Sequence, residues 1–303
     1  MARWDRNRSN EVPDWFWNAI ESPTATHVVE IDDGDVVYRT WDGKGGSSVL
    51  FLHGMFAHSR WWDFIAPHFA ERYKPVALDF TGMGDSDHRY EYSVDTCVDE
   101  ILGVADHAGL QDTTILVGHS FGGRMATKLI SLYPNRFAGL VLVDSGMRAP
   151  GEPERNYMQS MPGTGRSKIY PTRDEAEARF RLFPPQPCEN PFVLKHIAKN
   201  SVEPVDGGGY TWKFDPDLPL TFKDSELQEA DYRSLNLPVA VIYGANSNSY
   251  TTTTNEHMAT LVPEPFRSVA IPDAGHHVFL DQPTLFVAEL RKTLSWIEEV
   301  RAK

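Results

Sequence analysis

One serine in this chain stands in a setting built for nucleophilic chemistry. The run Val117-Gly118-His119-Ser120-Phe121-Gly122-Gly123 places Ser120 between glycines two residues before and two residues after it. The apolar segment 113–117 reads as a buried strand and the segment from 122 onward as a helix, so Ser120 falls on a strand-to-helix turn. A side chain at either flanking position would meet neighbouring backbone there, and glycine removes both contacts. Such a turn projects the hydroxyl clear of the sheet and aims the N-terminal amides of the helix at the same place. The chemistry that follows is attack on a carbonyl carbon. It needs a base for the hydroxyl proton and N–H donors for the oxyanion.

Two backbone amides are candidate oxyanion donors. One is Phe121, directly after the nucleophile; the other is Met55, in Leu52-His53-Gly54-Met55 after another buried strand. His58, Trp61, Trp62 and His119 are candidates for the pocket wall, although His58, Trp61 and Trp62 could equally anchor the following helix. The base is expected late in the chain, where Pro272-Asp273-Ala274-Gly275-His276-His277-Val278-Phe279-Leu280-Asp281-Gln282-Pro283 joins the last strand to the last helix. His276 is the candidate and His277 its neighbouring rival. His107, His196 and His257 lie in helical or insertion patches and are assigned to packing or surface. The turn Asp79-Phe80-Thr81-Gly82-Met83-Gly84-Asp85-Ser86 reads as structural, because a nucleotide-binding loop would need a third glycine and a helix start that do not follow.

These residues must be held by an alternation of strands and helices. Strands are predicted over 27–31, 36–41, 48–52, 75–78, 113–117, 139–143, 239–243 and 267–271. Four of them lack polar alternation, as strands buried on both faces do in a parallel sheet covered by helices. The first two flank Asp32-Asp33-Gly34-Asp35, which reads as a hairpin turn. Helices are predicted over 59–71, 94–109, 122–133, 254–261 and 283–301. The fold class is therefore α/β, with a mostly parallel sheet of about eight strands flanked by helices. The stretch 147–235 breaks the alternation: it is rich in proline, holds Gly207-Gly208-Gly209, and carries apolar faces through residues such as Phe180, Phe183 and Trp212. It reads as an insertion lying over the sheet as a helical lid, on a core domain of 1–146 and 236–303.

Composition narrows the partners. The chain has 303 residues with 29 Lys+Arg against 42 Asp+Glu, a formal charge of −13. That balance argues against a nucleic-acid or anionic-membrane surface. No apolar stretch approaches the ~20 residues of a membrane span, and the amino-terminal residues carry charges and Pro13 where a secretory leader would be apolar. Cys97 and Cys188 are the only cysteines, too few for a disulfide framework or a zinc cluster. The expectation is a cytoplasmic protein with reduced thiols.

Taken together, His53-Gly54, the turn from Asp79 to Ser86, Gly118-His119-Ser120-Phe121-Gly122-Gly123 and Gly275-His276 with Asp281 and Pro283 resemble the α/β-hydrolase superfamily across nearly the whole chain. The resemblance implies a nucleophile at Ser120, a base at His276, oxyanion donors at Met55 and Phe121, and a cap over 147–235. It departs in the acid. After the strand Val239-Ala240-Val241-Ile242-Tyr243 the family places a carboxylate, but here stand Asn246, Ser247 and Asn248. Some members take the acid from the end of the preceding strand, where this chain has Asp144. Asp144, the Asn246–Asn248 loop and another carboxylate all remain open as orienters of the imidazole. The implied activity is hydrolysis of a carboxylic ester or lactone of a small to medium apolar molecule through an acyl-enzyme, without metal or organic cofactor. A C–C bond hydrolase using the same Ser/His pair and a small-molecule receptor on the same fold are the alternatives.

Overall fold

The computed structural model describes residues 12–152, 168–223 and 227–303. The amino-terminal stretch through residue 11 and parts of the expected insertion, 153–167 and 224–226, lie outside the described residues. In chain order the strands are β1 (Thr24–Ile31), β2 (Gly34–Trp41), β3 (Ser47–Leu52), β4 (Tyr73–Leu78), β5 (Tyr92–Ser93) and β6 (Ile115–His119). They continue with β7 (Gly139–Val143), β8 (Val202–Pro204), β9 (Tyr210–Trp212), β10 (Phe222–Lys223), β11 (Val239–Gly244) and β12 (Phe266–Ile271). The helices are α1 (Asp14–Ile20), α2 (Val94–His107), α3 (Phe121–Leu132), α4 (Arg173–Glu177) and α5 (Pro191–Asn200). After them come α6 (Leu218–Thr221), α7 (Glu229–Arg233), α8 (Thr252–Leu261), α9 (Val278–Asp281) and α10 (Pro283–Arg301).

Eight strands form one sheet in the order β1-β2-β4-β3-β6-β7-β11-β12. β2 runs antiparallel to both its neighbours, and every pairing from β4 to β12 is parallel. The apolar central strands explain the two-sided burial. Leu50, Leu52, Leu116, Leu140 and Leu142 pack with α2 and α3 on one face. Their immediate neighbours Val49, Phe51, Ile115, Val117, Val141 and Val143 pack with α10 on the other. Side chains alternate faces along a strand, so an uninterrupted apolar run feeds both layers.

Two segments differ from the sequence expectation. The helix expected over 59–71 is a pair of 3₁₀ turns, Ser59–Trp62 and Ala66–Phe69. Pro67 donates no backbone hydrogen bond, and the buried rings of Trp61, Trp62, Phe64 and Phe69 pull this segment into the core on several sides rather than along one helical stripe. The unanticipated α1 starts behind Pro13 and buries Phe16, Trp17 and Ala19. Between β7 and β11 the chain makes α4, whose first turn is capped by Thr172, then α5 and the β8–β9 hairpin. Buried polar pairs tie this segment to the core: His58 Nε2 to Ser201 Oγ at 2.8 Å, and His196 Nε2 to Asp63 Oδ2 at 3.1 Å. Asp63 also faces Arg39 at 3.1 Å. Among the described residues no helix is long and apolar enough to cross a membrane.

The seam between α2 and the turn after β4 rests on Glu100, which is fully buried. Its carboxylate accepts hydrogen bonds from the Thr81 N–H at 3.1 Å and from the Thr81 hydroxyl, with Arg89 Nε at 3.4 Å. Burial outweighs these partners and lifts its pKa from 4.5 to about 7. Between those values the folded protein holds a proton that the unfolded chain has released, so stability falls as pH rises through the window. Relative to Glu100→Gln, wild type is expected to lose about 3 kcal/mol of unfolding free energy between pH 4 and pH 8. Denaturant titrations of both proteins across that range measure the difference, and a flat difference would mean Glu100 is already ionised when folded.

Candidate active site

β6 ends at His119, α3 begins at Phe121, and Ser120 between them adopts φ 49° and ψ −111°. A non-glycine residue in this region is strained and persists only where the surroundings hold it. Here the Ser120 N–H donates to Val143 O at 3.0 Å and the Gly122 N–H donates to His53 O at 3.1 Å. A Cβ on Gly118 would lie 2.6 Å from the backbone of Gly123, and one on Gly122 would lie 2.6 Å from Leu52 O. The loop after β3 comes nearly as close, since a Cβ on Gly54 would sit 2.7 Å from His119 Nδ1. The amides of Met55 and Phe121 have no hydrogen-bond acceptor among the described residues, which leaves both donors free at the turn.

The loop carrying Met55 is itself braced. His53 Nε2 accepts from the Phe80 N–H at 3.1 Å, so its Nδ1 carries the proton and donates to Gly54 O at 2.8 Å. Burial lowers the His53 pKa to about 4, and the ring stays neutral. The Phe56 N–H points at Met83 Sδ, 3.1 Å away in the turn after β4. That turn is held by Asp79, which accepts from the Ser59 and Asp85 amides, and by Ser86, whose hydroxyl donates to Asp79 O at 2.7 Å.

His276, on the loop between β12 and α9, is buried and donates from Nδ1 to Asp144 Oδ2 at 2.7 Å. Asp144 directly follows β7 and takes φ 47°. Its Oδ1 accepts from the Gly244 N–H at 3.0 Å, and its Oδ2 also accepts from Ser247 Oγ at 2.7 Å. Burial raises the Asp144 pKa, opposed by His276 and then by Ser247 and Gly244. The Asn246–Asn248 loop therefore reaches the carboxylate through Ser247, which in turn accepts from the Ser249 and Tyr250 amides at 3.0 and 3.2 Å. With Nδ1 committed to Asp144, the tautomer leaves His276 Nε2 bare to accept a proton. The Ser120 hydroxyl makes no hydrogen bond among the described residues; in acyl-transfer sites that bond commonly tightens only with substrate bound.

His277 turns elsewhere, its Nε2 3.4 Å from Pro184 O. His119 sits beside His276, ring centroids 4.8 Å apart, and donates from Nε2 to His276 O at 3.1 Å. Burial holds His58, His119 and His277 well below the ordinary histidine pKa. Trp61 contacts His277 and Phe180, Trp62 stacks on Phe279 at 4.5 Å, and both are buried in the core. Phe56 packs edge-on against Phe183 and Phe214 at 5.8 and 5.1 Å, an aromatic contact between the loop after β3 and the segment after β7. Sequence reasoning missed Phe56, Ser247 as a donor to Asp144, and Gln186 beside His276; no local pattern marks them. Among the described residues no cluster of three or more His, Cys, Asp or Glu is arranged to hold a metal ion.

Comparison with known proteins places this geometry in context. Residues 49–290 match the alpha/beta hydrolase family. The chain is 31% identical over 128 residues to Lipase LipV of Mycobacterium tuberculosis, a match over 42% of this chain and 48% of that protein, so about half the lipase's length is spanned. It is 24% identical over 252 residues to a 2-(acetamidomethylene)succinate hydrolase of Mesorhizobium japonicum, covering 82% of this chain and 88% of that one. Among solved structures it superposes on a thioesterase domain from the curacin biosynthetic pathway with TM-score 0.72 and 23% identity, over 88% of this chain and 99% of that one.

The glycine contacts are directly testable. Gly122→Ala forces its Cβ against the carbonyls of Leu52 and His53, whereas Gly46 has nothing within 4 Å. Gly122→Ala is expected to destabilise by about 1–3 kcal/mol, as overpacking does. Gly46→Ala should stay within about 0.5 kcal/mol of wild type. Chemical denaturation of the two variants separates the cases, and equal stabilities would refute the close approach at the turn.

Proposed function

This chain belongs to the alpha/beta hydrolase family, and from that premise we propose that it is a serine hydrolase cleaving a carboxylic ester or lactone of a small to medium apolar molecule. The observation that carries the reading is the buried 2.7 Å bond from His276 Nδ1 to Asp144, set behind a serine held in a strained strand-to-helix turn. The similarity to a lipase and the aromatic contacts of Phe56 with Phe183 and Phe214 support an apolar acyl or alcohol group. Residues 147–235 act in this reading as a lid over a core of 1–146 and 236–303.

His276 Nε2 takes the Ser120 proton as Oγ attacks the carbonyl carbon, and the carbonyl π electrons move to oxygen. The N–H groups of Met55 and Phe121 receive that oxyanion. His276 then gives its proton to the departing alkoxide as the tetrahedral species collapses to an acyl-enzyme. Water attacks the acyl carbon with His276 again as base, and the carboxylic acid leaves Ser120 regenerated. Asp144 keeps the imidazole in the Nδ1–H tautomer and balances the charge it gains.

Hydrolysis of a p-nitrophenyl ester series by wild type and Ser120→Ala, with a fluorophosphonate adduct mapped by mass spectrometry, tests the nucleophile. Turnover lost in Ser120→Ala, with the adduct on Ser120, is the expected result. A labelled Ser120 without ester turnover would favour C–C bond cleavage by the same pair, and neither turnover nor label would favour a small-molecule receptor. Asp144→Asn is expected to lower kcat by roughly 10³–10⁴-fold through the wrong tautomer, while Asn248→Ala stays near wild type. The reverse order would move the acid to the 246–248 loop.

A further inference from the structure

The segment that follows α4 is fastened to the loop carrying His276 through one side-chain amide. Gln186 Oε1 accepts from the His277 N–H at 2.9 Å, and Gln186 Nε2 donates to Asp281 Oδ2 at 2.8 Å. The same carboxylate oxygen accepts from the Gly275 N–H at 2.7 Å. The amide orientation is forced, because a backbone N–H can only donate and the carboxylate accepts. Gly275 leaves room for it: a Cβ there would come within 3.0 Å of Gln186 Oε1. Asn190 extends the fastening, donating from Nδ2 to Leu280 O at 2.8 Å and to Asp281 O at 3.0 Å.

The backbone N–H groups of the two residues that flank His276 are thus held by one two-residue unit. Its own carbonyl is held separately by His119, and its ring by Asp144. None of the Gln186 bonds reaches the reacting atoms. Their effect is on where the imidazole sits. We propose that Gln186 and Asp281 form a positioning bracket for His276, so that alignment of the base depends on the 184–190 segment being seated. The inference rests on the serine-hydrolase reading, with Gln186 and Asp281 as positioning residues rather than catalytic ones.

Donor and acceptor can be exchanged across the bracket, which gives a test that loss of folding does not mimic. Gln186→Glu sets two carboxylates against each other. Asp281→Asn keeps an oxygen that can accept from both Gln186 Nε2 and the Gly275 N–H, as Asp281 Oδ2 does, whereas Asp281→Ala removes that acceptor. In the double variant Gln186→Glu/Asp281→Asn, the amide at 281 can donate to the carboxylate at 186, which still accepts from the His277 N–H, so the repulsion set up by Gln186→Glu is removed.

The measurement is kcat and KM on the ester that wild type turns over best, with Ser120→Ala as reference and melting temperature recorded for each protein. Gln186→Glu and Asp281→Ala are each expected to lose roughly 10-fold or more in kcat, toward the ~100-fold that a misplacement of about 1 Å costs, with KM changed little, while Asp281→Asn stays near wild type. The double variant is expected to recover most of the kcat lost in Gln186→Glu. Gln186→Glu alone should also gain kcat as pH falls and its new carboxyl takes up a proton that can be donated to Asp281. Gln186→Glu and Asp281→Ala variants that match wild type, losses confined to KM, or a double variant no faster than Gln186→Glu would overturn the bracket. Wild-type turnover that survives Ser120→Ala would instead overturn the serine-hydrolase reading beneath it.

Discussion

A carboxylate removed from water has to find donors for its oxygens inside the protein, and much of this site is arranged around that requirement at Asp144. The residue is buried just after β7, takes φ 47°, and has its carboxylate hydrogen-bonded to the end of the neighbouring strand. A lone buried carboxylate would take up a proton and cease to be an acid partner. Three donors oppose that: the Gly244 amide, the Ser247 hydroxyl and His276 Nδ1. Two of them come from the end of β11, the next strand in the sheet, so the parallel register between β7 and β11 is part of what keeps Asp144 charged. The orientation of His276, and through it any proton transfer at Ser120, follows from that register.

The same logic explains what was legible in the sequence. The eight-stranded sheet was readable because buried parallel strands are written as uninterrupted apolar runs, and the turn at Ser120 because close backbone approach admits only glycine at 118 and 122. The aspartate at the end of β7 could be named as one candidate among several, but its pairing with His276 spans 132 positions of chain and leaves no periodic trace. Ser247 stood where a carboxylate was expected and looked like an absence. In the fold it is a donor to the carboxylate one strand away. The 59–71 stretch misled for a related reason: its aromatic residues are spaced as a helix would space them, but Pro67 and burial on several sides favour short 3₁₀ turns.

The elbow and the segment after β7 impose different kinds of order. Around Ser120 the constraint is steric and short-ranged, with β6, α3 and the β3 loop within contact of one another's backbones. The segment after β7 is joined to the core by side-chain hydrogen bonds that involve Ser201, His196, Gln186 and Asn190, and by the buried side chains of Leu182, Val193 and Ile197. Each such hydrogen bond contributes about 1 kcal/mol, and the apolar burial adds to it. Ser120 is thereby held by backbone packing within the core, while the loop of His276 is held partly by side chains of the 184–190 segment.

Electrostatics around the base completes the argument. Proton transfer from Ser120 would make His276 a cation, and three further imidazoles, those of His53, His119 and His277, lie close to it or to the turn. Were they charged, each would oppose that step. Burial is the largest cause of their lowered pKa values, and the field of His276 adds to it for His119 and His277. They therefore stay neutral while Asp144, with its three donors, supplies the only negative charge in contact with the ring among the described residues. Neutral rings still serve as hydrogen-bond partners, as His53 does for Phe80 and Gly54 and His119 does for the His276 carbonyl. A histidine-rich site can in this way brace its loops without adding positive charge beside His276, the one of these four imidazoles in contact with a carboxylate.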